Sequence, residues 1–65
     1  MQLIDFATLG LKVKENVNLY YNGHTYFLEH NNKLVAIETS FLYIQYGLEK
    51  NNLLEELKWQ MKQWK

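Results

Sequence analysis

Cysteine, proline and arginine are all absent from this 65-residue chain, and only three glycines occur. Without cysteine there is no disulfide staple, and two histidines supply no dense ligand cluster for a structural zinc. Gly10, Gly23 and Gly47 are isolated, so neither the Walker nor the dinucleotide type of phosphate-binding loop is present. Missing arginine removes the side chain that makes most bidentate guanine contacts, which disfavours sequence-specific reading of duplex nucleic acid. The lack of Arg and Pro beside seven Asn and seven Lys also has a codon-level explanation. It suits an AT-rich genome, such as that of a low-GC bacterium or one of its phages. No run approaches the ~18 apolar residues of a membrane span. Residues 1–10 carry no basic leader and Asp5 interrupts their apolar run, so no signal peptide is read there. A soluble, cytoplasmic protein is expected.

What is present points to one compact unit, residues 1–65. Hydrophobic residues make up 48% and aromatics 15%, and seven lysines balance seven acids. That balance gives neither a basic footprint for nucleic acid nor an acidic surface. A single core of this size is near the lower limit of independent stability, leaving aromatic packing or oligomerisation to make up the difference.

The strongest local signal is Asn22-Gly23 between two aromatic and β-branched runs, the pattern of a two-residue type I′ hairpin. Folding 13–21 onto 24–30 about it sets Tyr21 opposite His24, Leu19 opposite Tyr26, Val17 opposite Leu28 and Glu15 opposite His30, all on one face with Val13. The other face takes Lys14, Asn16, Asn18, Tyr20, Thr25, Phe27 and Glu29. Asn31-Asn32 offers a second tight turn, because Asn tolerates left-handed backbone. It pairs Leu28 with Val35 and Tyr26 with Ile37 on the same inner face.

Two segments have two readings each. Residues 1–10 could form a short strand or a single helical turn ended by Gly10. Residues 41–46 read as a fourth strand broken at Gly47, with a short helix capped by Ser40 as the alternative. Further on, Asn52 followed by Glu55 resembles a capping box. Leu53, Leu54, Leu57, Met61 and Trp64 then fall within a sector of roughly 100° on a helix. The sum is an α+β domain: a three- or four-stranded antiparallel β-meander over 11–46, preceded by segment 1–10, with a C-terminal amphipathic α-helix over 52–64 packed on one face.

Catalytic chemistry finds little support. His24 and His30 lie roughly 20 Å apart along one strand, too far to share a metal. Ser40, the only serine, comes near His24 and Glu38 in the inferred register. No Gly-x-Ser-x-Gly elbow accompanies it, and a small meander has little volume for a cleft. Glu55 and Glu56 are adjacent on a helix and point apart. No catalytic residue, metal site or cofactor is expected, and the chain reads as a non-enzyme.

Aromatic surplus is the feature left over. Trp59 falls about 180° from the centre of the helix stripe, and Trp is enriched at binding hot spots. One helix covers one face of a sheet, so Tyr20 and Phe27, with Ala36 and Leu34 beside them, need another cover. Trp59, Tyr20, Phe27 and Leu34 are therefore the candidate partner-binding residues. The expected role is a small protein-interaction module, of the kind a phage or mobile element uses to inhibit or retarget a host protein, and a homodimer is expected through the same patch. A single-stranded nucleic-acid binder using Lys12, Lys14 and Lys33 beside the aromatics is a second reading. An oligomer sequestering a small ring-bearing ligand is a third.

Overall fold

A computed structural model describes residues 1–55. Its elements are β1 (Gln2–Ile4), a 3-10 turn (Phe6–Leu9), β2 (Val17–Tyr21), β3 (Tyr26–His30), β4 (Lys33–Glu38) and α1 (Phe41–Lys50). The strands form one antiparallel sheet in the order β1-β2-β3-β4. The helix lies against β3 and β4. The chain is thus the α+β meander with a helix on one face that its pattern predicts, reached through several different local choices.

Both readings of residues 1–10 are realised in succession. Gln2–Ile4 pairs with β2, and the 3-10 turn follows at once. Asp5 caps that turn by accepting from the Ala7 N–H at 3.0 Å. Gly10 ends it at φ +74°, donating to the Ala7 carbonyl.

The first hairpin differs from the expected one by two residues. Tyr21 pairs with Tyr26, Leu19 with Leu28 and Val17 with His30, so Glu15 does not face His30. Asn22 sits outside the turn centre, where its side chain accepts from the backbone N–H groups of His24 and Thr25 at 2.9 and 2.8 Å. This self-capping fixes Gly23-His24 as the central pair. Gly23 alone of the two has left-handed φ, at +96°. A shift of two preserves every side-chain face, so the inner set Val17, Leu19 and Leu28 is as expected and is buried. Gly23→Val should lower stability by roughly 1 kcal/mol or more, since a β-branched residue is strained at that φ. A thermal melt unchanged from wild type would show that the loop adopts another conformation.

The second turn matches its pattern. Asn31 and Asn32 both have positive φ, +54° and +67°, as a type I′ turn requires. His30 faces Lys33 and Glu29 faces Leu34. The register then slips by one residue at a bulge, and Leu28 pairs with Ala36, Phe27 with Ile37 and Tyr26 with Glu38. The expected pairs Leu28–Val35 and Tyr26–Ile37 are replaced, and Ala36 moves from the outer face to the inner one. The helix supplies the reason. A Cβ placed on Gly47 would lie 3.6 Å from the Ala36 Cβ and 3.8 Å from Leu28 Cδ2. Two small residues let helix and sheet approach closely where Val or Ile would hold them apart.

Residues 41–46 are helical, not a fourth strand of the meander; β1 fills that number. Ser40 caps α1 by accepting from the Leu42 N–H at 3.3 Å. Phe41, Ile44 and Leu48 recur at helical spacing toward the sheet. Asn52 closes this helix and does not open the next. At φ +59° it donates to the Glu49 carbonyl at 3.1 Å, while the Leu53 N–H reaches the Leu48 carbonyl at 2.8 Å. These are the paired bonds of a Schellman motif, and both Leu48 and Leu53 are buried.

Beyond the motif, Leu54 bridges Val13, the Lys14 N–H donates to the Leu53 carbonyl, and the Glu55 N–H donates to the Lys12 carbonyl. The helix expected over 52–64 therefore does not include 52–55, and its remainder lies outside the described residues. Segment 12–14 pairs here and does not extend β2, because Asn16 turns the chain at φ +64°. The core so enclosed comprises Phe6, Val17, Leu19, Leu28, Ile44, Leu48 and Leu53.

Candidate interaction surface

Sheet pairing fixes which side chains share the face opposite the helix. Leu3 faces Tyr20, Tyr20 faces Phe27 and Phe27 faces Ile37. These four form one apolar row across all four strands, because directly opposed residues lie on the same side. A second row holds Asn18, Glu29 and Leu34, with the Asn18 amide donating to Glu29 Oε1 at 3.3 Å. Leu3, Ile37 and Leu34 are 60%, 52% and 54% exposed, while Tyr20 and Phe27, in the two central strands, are half-buried by their neighbours. Among the described residues no element covers this face.

Three of the four residues expected to bind a partner, Tyr20, Phe27 and Leu34, thus stand together on one surface. Trp59 lies outside the described residues. The bulge replaces Ala36 with Ile37 beside Phe27, which makes the surface more apolar than the sequence pattern implies. Leu3 joins it because β1 pairs with β2. Neither addition has a local sequence signal: one depends on a bulge, the other on a three-residue strand.

The lysines proposed for nucleic-acid contact are dispersed. Lys12 and Lys14 sit on a segment that pairs with 53–55 and is not part of β2, and Lys33 follows the Asn31-Asn32 turn. The aromatic row consequently has no lysine from β2 beside it.

The other side chains weighed for chemistry have local roles. The Ser40 hydroxyl caps α1. His24 Nδ1 lies 2.9 Å from Thr25 Oγ1, and His30 Nε2 lies 3.3 Å from the Asn31 amide. Among the described residues no group of three His, Cys, Asp or Glu gathers to hold a metal. A depression of about 430 Å³ beside Tyr21 is lined by Met1, Gln2, Asn22 and Gly23, none of which brings a charged side chain to it. No helix among the described residues is long and apolar enough to cross a membrane.

A second group of exposed apolar residues lies on α1. Leu42, Tyr43 and Tyr46 are 73%, 62% and 60% exposed. They follow from the helical reading of 41–48, since each is turned away from Phe41, Ile44 and Leu48 at 100° per residue. Tyr21 and Tyr26 instead stack on the inner face with centroids 4.4 Å apart, and Phe41 packs against Tyr26 at 5.7 Å. No protein-family model matches the chain, and neither a characterised protein nor a solved structure matches it.

Proposed function

We propose that the chain is a non-enzymatic module of the cytoplasm that binds another protein through the outer face of its sheet. The apolar row Leu3–Tyr20–Phe27–Ile37, continued by Leu34, is the observation that carries this reading. Such a surface in water is unfavourable by about 25 cal/mol per Å² of apolar area, and a partner removes that cost. Tyr20 and Phe27 at its centre offer large, rigid contact area at low entropic cost, flanked by aliphatic side chains that exclude water. Small size, balanced charge and a composition suited to a low-GC genome fit a phage or mobile-element factor that modulates a host protein. The single-stranded nucleic-acid reading counts on Lys12 and Lys14 belonging to the strand that carries Tyr20, whereas their segment pairs with 53–55 instead.

Capture from a low-GC bacterial lysate tests the proposal. Immobilised wild type is expected to retain a defined protein, and Phe27→Lys and Leu3→Lys are expected to lose it while melting within a few degrees of wild type. Retention of nothing above background would oppose the reading. So would equal retention by both variants.

A further inference from the structure

We propose that two copies of this chain pair through their β4 edges, antiparallel about a two-fold axis between Val35 and Ala36. β4 is an edge of the sheet and its longest strand, with six residues. Among the described residues no strand lies on its open side, so a row of backbone donors and acceptors is available for another strand.

The bulge makes that edge self-complementary. Lys33, opposite His30, and Glu38, opposite Tyr26, both lie on the inner face; Leu34, opposite Glu29, and Ile37, opposite Phe27, both lie on the outer face. In an unbroken strand, Lys33 and Glu38 would point to opposite sides, as would Leu34 and Ile37, because side chains alternate. Two-fold pairing about the Val35–Ala36 midpoint then sets Lys33 of one copy against Glu38 of the second, and Leu34 against Ile37. Symmetry makes each match twice. Opposed charges and opposed aliphatic residues are the pairs that stabilise an antiparallel ladder.

The helix adds area to the same interface. A groove of about 270 Å³ runs between β4 and α1, with Val35, Glu38, Tyr43, Tyr46 and Lys50 among its lining residues. Lys50 Nζ lies 5.9 Å from the Tyr46 ring centroid. Since α1 lies over β3 and β4 at Gly47, joining the β4 edges brings Tyr43 and Tyr46 of the two copies toward one another across the axis. The outer apolar rows of the two copies then lie on the same side of the joined sheet, and among the described residues this pairing leaves them uncovered. A bulge and an edge lysine are also devices that protect an edge from pairing; here the match across the axis favours pairing.

Sedimentation equilibrium of the full chain at about 100 μM reads contacts too small for a tight complex. Wild type is expected to dimerise. Lys33→Glu and Glu38→Lys should each weaken the dimer about tenfold, because each turns two attractions into two repulsions. The double variant should return to within about threefold of wild type, since the pair is then reversed but still matched. Leu3→Lys, on the far edge, should leave dimerisation unchanged. A monomeric wild type, a dimer indifferent to both single reversals, a double variant that does not recover, or a dimer lost with Leu3→Lys would each overturn the edge pairing. Partner capture through the outer face is a separate readout, so failure of either reading leaves the other measurable.

Discussion

Leu28→Ala is expected to leave a large share of the chain unfolded at room temperature. Leu28 is fully buried at the centre of β3, paired with Leu19 on one side and Ala36 on the other. Gly47 of the helix comes down on it. Truncating such a leucine costs roughly 2–5 kcal/mol, the lost transfer energy plus the cavity left behind. A domain of this length has only about 3–10 kcal/mol in total, at roughly 0.05–0.15 kcal/mol per residue. No disulfide limits the unfolded chain, since cysteine is absent. Leu34→Ala, the same chemical change at a 54% exposed site, should stay within about 0.5 kcal/mol of wild type. Urea titrations of the two variants in dilute solution, below the concentration at which the chain pairs, check the contrast. Equal midpoints would mean that Leu28 is not the keystone of the core.

The faces of the central hairpin were legible because side-chain alternation survives an even shift in register. The Asn22-Gly23 pattern sets the turn centre one position too early, yet Val17, Leu19 and Leu28 still fall on the inner side. An odd shift has the opposite consequence. The bulge in β4 exchanges Ala36 for Ile37 on the outer face and sets the small Ala36 side chain close to Gly47, a residue on another element. Local pattern carries no information about such a contact.

Asn52 shows a different kind of ambiguity. Asparagine is favoured both at a helix N-cap and in the left-handed residue that ends a helix. The run Leu-Tyr-Ile-Gln-Tyr after Phe41 has strand-like composition, so Asn52 read more naturally as a start than as a stop. Packing decided otherwise, with Phe41, Ile44 and Leu48 meeting the sheet and Leu53 completing the Schellman motif. The candidate surface was half visible for related reasons. Tyr20 and Phe27 declare themselves by alternation, whereas Leu3 and Ile37 depend on a strand pairing and a bulge formed elsewhere.

The outer apolar row exists only if β4 turns Ala36 toward the helix and Ile37 outward to join Tyr20 and Phe27. Chemical denaturation of Ala36→Lys and Ile37→Lys in dilute solution measures this directly. Ala36 is partly buried close to Gly47, so lysine at position 36 must push the helix back or thread out along the groove between β4 and α1, a loss of roughly 2 kcal/mol. At position 37 the ammonium reaches water, and the cost should stay below about 1 kcal/mol, within the range of strand propensity. The predicted result is therefore a much lower midpoint for Ala36→Lys than for Ile37→Lys. The reverse order would place Ile37 in the core and Ala36 outside, and would remove the apolar surface on which the proposed binding depends.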